Sequence, residues 1–162
     1  MTDQKTPAQL MAEQVAGAMF ERDQASRALG MEIQSVGPGY ACLRMRVRKD
    51  MLNGHQTCHG GFIFSLADSA FAFACNSRNE STVAAGCQIE FLLPGYEGDV
   101  LQAEAVEKAL SGKSGVYDIS VINQHGKLIA VFRGKSHRIK GFVVPELDLT
   151  KTDCTEQQAV CT

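Results

Sequence analysis

Apolar positions along the chain follow three rhythms. Behind Thr6-Pro7, Met11, Val15 and Met19 recur every four residues, which predicts a helix running to about Asp23. From Gly30 the period drops to two. Ala41, Leu43, Met45 and Val47 alternate with Cys42, Arg44, Arg46 and Arg48, as in a half-buried strand, and "GPG" at 37–39 is the turn before it. Between 60 and 75 the apolar residues become nearly continuous. Phe62, Ile63, Phe64, Leu66, Ala67, Ala70, Phe71, Ala72, Phe73 and Ala74 point in almost every direction around a helical wheel. A sheet must wrap such a helix on almost all sides, and the run is shorter than the ~20 residues that cross a bilayer.

Three further stretches have strand character: 81–95, closing at Pro94-Gly95; 99–110; and 115–139, which "NQHGK" breaks into a hairpin with Gly126 supplying a positive φ. One enclosed helix among about six strands predicts an α+β fold with an antiparallel sheet. The last residues are polar and unpatterned. The chain therefore divides into an N-terminal helical extension (1–28), a single domain (29–141) and a tail expected to be loose (142–162).

Composition narrows the function. A chain of 162 residues, 44% apolar and 21% charged, can build one core without metals or disulfides. Its net charge of −2 lacks the basic excess that neutralises phosphates, so nucleic acid is not an expected partner, and neither is a membrane. The six cysteines form no CxxC pair and follow no signal-peptide pattern. They read as reduced thiols in a cytoplasm.

The chemistry concentrates in "NGHQTCHGGFIFSLADSAFAFACN", 53–76, whose apolar run contains a single charged residue, Asp68. A carboxylate two turns inside an enclosed helix is raised in pKa unless donors or cations relieve it. It either pairs with a buried arginine, caps a backbone donor, or works as a catalytic acid or base. Just upstream, "CHGG" sets the N–H groups of Gly60 and Gly61 at the helix N-terminus, where unpaired donors favour negative charge. That arrangement suits an oxyanion. Gly60 and Asp68 are eight residues apart, about 12 Å along one helix, so a single carbonyl cannot touch both. If they serve one reaction centre, the carboxylate comes from a second copy whose helix lies antiparallel, and the site occurs twice at a twofold interface.

"MLNGHQTCHGGFIFSLADSAFAFACN", "IEFLLPGYEGD" and "GKSGVYDISVINQHGKLIAVFRGKSHRI" resemble the hotdog-fold acyl-CoA thioesterases, and within them the phenylacetate-degradation (PaaI) subfamily, over about 25–141. The resemblance implies an antiparallel sheet wrapped around one central helix, dimers that associate into homotetramers, and phenylacetyl-CoA or hydroxylated relatives as substrates. No separate cofactor is implied, since coenzyme A is part of the substrate. Asp68 matches the family's acidic catalytic residue, Gly60 the backbone donor to the thioester oxygen, and Asn53 and His59 the polar residues lining the same pocket from the neighbouring subunit. Asp68 would activate water as a general base or attack directly to give an anhydride; a desolvated carboxylate suits the first route better. Some relatives hold the water with a hydroxyl on the next strand. Here Ala84 and Ala85 occupy those positions, with Ser81 and Thr82 earlier, so the second anchor is unassigned.

Other groups carry weaker signals. "RGKSHR" brings Arg133, Lys135, Ser136, His137 and Arg138 together near the end of the last strand, either as a solvated edge or, with Gly61, as contacts to coenzyme A. His55, Cys58 and His59 lack a third convergent ligand, so no metal site is expected, and Cys58 beside His59 reads as a packed thiol. Phe62, Phe64, Leu92 and Leu93 are candidates for an acyl pocket. The competing functions are a hotdog dehydratase using His55 and an acyl-CoA binding protein without turnover.

Overall fold

A computed structural model of the chain describes residues 5–147. The first helix, α1 (Pro7–Arg22), starts where the four-residue rhythm begins, with Thr6 Oγ1 accepting from the Gln9 N–H and Pro7 in the first turn. Met11, Ala12, Val15 and Ala16 are buried, and the Phe20 ring meets Phe73 at 6.3 Å between centroids. Asp23 ends this helix and caps a second, unanticipated one, α2 (Gln24–Ala28), by accepting from the Ser26 N–H. The N-terminal extension is thus packed on the body of the fold, and Gln9 Nε2 donates to Val36 O at 2.7 Å.

The remaining elements are β1 (Glu32–Gly37), β2 (Tyr40–Arg46), the central helix α3 (Gly60–Asn76), β3 (Glu80–Phe91), β4 (Val100–Ser111), β5 (Ser114–Ile122) and β6 (Leu128–Phe142). The six strands form one antiparallel sheet in the order β1-β2-β4-β5-β6-β3. In β2 the alternation behaves as its pattern requires: Ala41, Leu43 and Met45 are buried while Arg44 and Arg46 face out, although Cys42 is buried too. The hairpin between β5 and β6 turns on Gly126 (φ 72°), and Asn123 Oδ1 accepts from the N–H groups of His125 and Lys127.

The sheet curls around α3, whose Leu66, Ala67, Ala70, Phe71 and Ala74 pack into a core with Leu43, Met45, Leu101, Ile119 and Phe132. Small residues let the helix come close. A Cβ at Gly134 of β6 would lie 2.8 Å from the Phe71 ring, which is wedged between Tyr117 and Phe132. Gly134→Ala is therefore expected to cost about 1–3 kcal/mol by overpacking, a fall of several degrees in Tm that calorimetry would detect.

Two expectations change. The helix is enclosed on one broad face only: Gly61 is exposed and Ser65, Asp68 and Ala72 are half-buried, a stripe that the chain's own sheet leaves open. The tail expected to be loose from 142 is held as far as Leu147. Asn79 donates to Val144 O and accepts from its N–H, Arg22 donates to Val143 O, and a 3-10 turn spans Pro145–Leu147. The rest of that tail lies outside the described residues.

Candidate active site

The loop before α3 is tied at several points, which fixes where the helix begins. Asn53 Oδ1 accepts from the N–H groups of His55 (2.9 Å) and Thr57 (3.2 Å), and its Nδ2 donates to Thr57 Oγ1. Cys58 N–H donates to Gly95 O and His59 N–H to Met51 O, both at 2.8 Å. Gln56 takes a positive φ of 60° within this knot. Asn53 therefore shapes the loop through its carbonyl and keeps one amide hydrogen free of these bonds.

His59 caps α3: its Nδ1 accepts from the Gly61 N–H at 3.0 Å. This corrects one expectation. Of the two donors at the helix start, Gly61's is taken by the His59 ring, so Gly61 offers no N–H to a substrate. The Gly60 N–H has no acceptor among the described residues. Gly60 lines a concavity of about 340 Å³ together with Asn53, Thr57, Cys58, Ile63, Phe91, Leu92, Leu93 and Pro94. The Phe91 ring lies over Gly60 so closely that a Cβ there would sit 2.9 Å from it.

Asp68 projects from the open stripe of α3. Among the described residues it has no ion pair, and its one hydrogen-bond partner is Cys87 Sγ, 4.0 Å from Oδ1. The buried-arginine reading fails for lack of an arginine. Desolvation alone raises its carboxyl above the usual range, as expected for a buried acid without a cation. Such a group is a proton acceptor of strengthened basicity.

The basic cluster separates by strand alternation. Arg133, Lys135 and His137 point to the outer face of β6, whereas Ser136 points inward and is 2% exposed, so Ser136 cannot join a surface contact to coenzyme A. Arg133 is already paired to Asp118 through Nε at 2.6 Å and Nη2 at 2.8 Å, and Arg138 to Glu80. The solvated-edge reading also fails, because β6 lies inside the sheet between β5 and β3. The free edge on that side belongs to β3.

His55 is exposed at the loop tip, and among the described residues no three His, Cys, Asp or Glu side chains converge as metal ligands do. Burial pushes the Cys58 thiol up to about 11, which leaves it protonated and unreactive at neutral pH. Leu92 and Leu93 do line the concavity. Phe64 instead packs on Phe132 at 5.3 Å, and Phe62 against His59 at 6.3 Å. Sequence reasoning missed Phe91, Ile63 and Thr57 as lining residues and Cys87 as the neighbour of Asp68. Proximity to Pro94-Gly95 was the only hint for Phe91, and nothing in the sequence marked Cys87.

A family profile for the thioesterase superfamily matches residues 55–130, from the loop through the start of β6. The acyl-coenzyme A thioesterase PaaI of Escherichia coli is 52% identical over 135 residues, which cover 83% of this chain and 96% of that protein. The chain belongs to the thioesterase superfamily. The solved structure of E. coli PaaI, from the phenylacetic acid degradation operon, superposes on this thioesterase with a TM-score of 0.82 at 51% identity, covering 83% of this chain and 98% of the other. A variant of the phenylacetic acid degradation protein PaaI of Thermus thermophilus gives 0.70 at 40% identity, over 72% and 100%. The sheet wrapped on α3 is thus the hotdog fold of these thioesterases. No helix among the described residues is long and apolar enough to cross a membrane.

Proposed function

We infer that this chain is an acyl-CoA thioesterase that hydrolyses aryl-acyl-CoA, with phenylacetyl-CoA or a hydroxylated relative as substrate, to the free acid and coenzyme A. The observation that carries the mechanism is a half-buried carboxylate, Asp68, that has no counter-charge among the described residues, on the same helix as a Gly60 N–H that has no acceptor among them. The Gly60 N–H polarises the thioester carbonyl and stabilises the oxyanion of the tetrahedral intermediate. Asp68 of a second copy removes a proton from water as it adds to the carbonyl carbon, and collapse of the intermediate expels the coenzyme A thiolate. Asn53 and His59 border the carbonyl from the Gly60 side, Asn53 through its spare amide hydrogen and His59 by setting the helix start.

The second copy is supported by β3. Among the described residues its outer edge has no partner strand, and Val83, Ala84, Ala85, Gly86 and Cys87 on it are exposed, without the charges that usually protect an edge. Pairing two such edges antiparallel sets two α3 helices side by side and brings each open stripe toward its twin, giving a homodimer with two sites; dimers then pair as a homotetramer. Lys135 and His137, exposed near this edge, are the groups offered to coenzyme A phosphates. The aryl preference draws support from the phenylacetic acid degradation proteins it resembles and from the apolar Phe91, Leu92 and Leu93 beside Gly60. A cytoplasmic location agrees with the substrate and with free thiols at Cys42, Cys58, Cys75 and Cys87.

The test is loss of thioester absorbance across a panel of acyl-CoAs. Phenylacetyl-CoA is expected to be turned over with release of one thiol per thioester. An enoyl product from a hydroxyacyl-CoA without thiol release, or binding without turnover throughout, would overturn the hydrolase.

A further inference from the structure

The strand after the helix, β3, shows what faces Asp68. Ala84 and Ala85 carry no donor, and Thr82 is turned away, its Oγ1 donating to Glu80 O. Cys87 sits opposite Gly134 of β6 in register, on the inward-facing side, where its Sγ approaches Asp68 Oδ1 at 4.0 Å. We propose that the Cys87 thiol is a positioning residue for catalysis: its S–H donates to Asp68 Oδ1, orienting the carboxylate so that Oδ2 takes the proton from the attacking water. This role rests on the hydrolase reading above.

The direction of the bond follows from chemistry. A thiol is a weak donor that serves only while protonated, and burial with the nearby Asp68 charge pushes Cys87 above its ordinary value, so it keeps its hydrogen at the pH where Asp68 is ionised. A contact of this length is at the long end for sulfur and oxygen. Among the described residues, the other titratable group coupled to Asp68 is Cys75 on α3. Burial pushes that thiol up to about 12, and it is turned to Ala72 O at 3.5 Å, so it stays neutral and leaves Cys87 as the donor.

A donor to the ionised form lowers a carboxyl's pKa, so removing it raises the pKa. The experiment compares native enzyme, Cys87→Ala and Cys87→Ser by titrating the Asp68 carboxyl carbon by NMR and by the pH profile of kcat/KM for phenylacetyl-CoA. Alanine is expected to move both the carboxyl midpoint and the acid limb upward by about half a pH unit, with kcat near the limb down about threefold and KM unchanged. Serine, which restores a donor, returns both to the native position or below it. Three coincident midpoints in an active enzyme, or equal displacement by alanine and serine, would overturn the role of the thiol alone. No turnover by the native chain would overturn the hydrolase reading and the positioning role together.

Discussion

Asp68→Asn is expected to lower kcat for phenylacetyl-CoA about 10³-fold while KM, assembly state and fold are kept, and to leave Tm at neutral pH unchanged or raised. The two halves of that result have one cause. General-base catalysis contributes roughly 10²–10⁴ in rate, and the amide of asparagine cannot accept the water's proton. Yet the carboxylate is desolvated, which raises its pKa in the folded chain. An acid whose folded pKa exceeds its unfolded value binds its proton more tightly in the native state. Its favourable contribution is present below the unfolded value and lost as pH rises through the folded one. At neutral pH the native charge therefore opposes folding, and asparagine removes that opposition. The same shift sets the pH profile: activity needs the ionised form, so the acid limb of kcat/KM should lie above the ordinary carboxylate range near about 4. Steady-state kinetics against pH, with a thermal melt of each variant, reads both halves. A variant that loses activity only because it unfolds would contradict this explanation.

Gly60→Pro is expected to cost about 10²–10³ in kcat, the usual penalty for losing one oxyanion donor. Proline suits the backbone here. Gly60 is the first residue of α3, where proline is well tolerated, and His59 before it has φ −60° and ψ 132°, the extended geometry that a residue preceding proline prefers. The ring also introduces a Cβ against Phe91. Gly60→Ala separates the two effects, because it adds the same Cβ but keeps the N–H. Alanine should fall well short of the proline defect, since the 52% exposed Phe91 ring has room to swing aside. Equal loss in both variants would assign the effect to crowding and remove the donor role from Gly60.

Hydrophobic rhythm alone located much of this molecule. Thr6-Pro7 and the Met11, Val15 and Met19 stripe mark α1, the alternation from Ala41 to Val47 marks β2, and Gly126 marks the β5–β6 turn. These are local decisions, taken by backbone preference and by which face must be buried. What was not legible depends on tertiary partners. Strand order decides that β6 is interior and β3 is the edge, and no residue in "RGKSHR" states its place in a sheet. Ser136 shared a motif with Lys135 and His137, but alternation turns it to the opposite face. The choice between Gly60 and Gly61 as donor is made by the His59 rotamer, which caps one N–H and leaves the other. Cys87 meets Asp68 only because β3 returns beside α3 after a nineteen-residue excursion.

The proposed reaction centre is assembled from two copies, and subunit mixing tests that assembly. Asp68→Asn and Gly60→Pro, each nearly inactive alone, are unfolded together and refolded as an equimolar mixture. If the donor and the base belong to different subunits, each mixed dimer regains one intact site of two. Half of randomly paired dimers are mixed, so activity should return to about a quarter of the native value. If both groups act within one chain, every site in the mixture keeps a lesion, and activity would stay at the level of the separate variants.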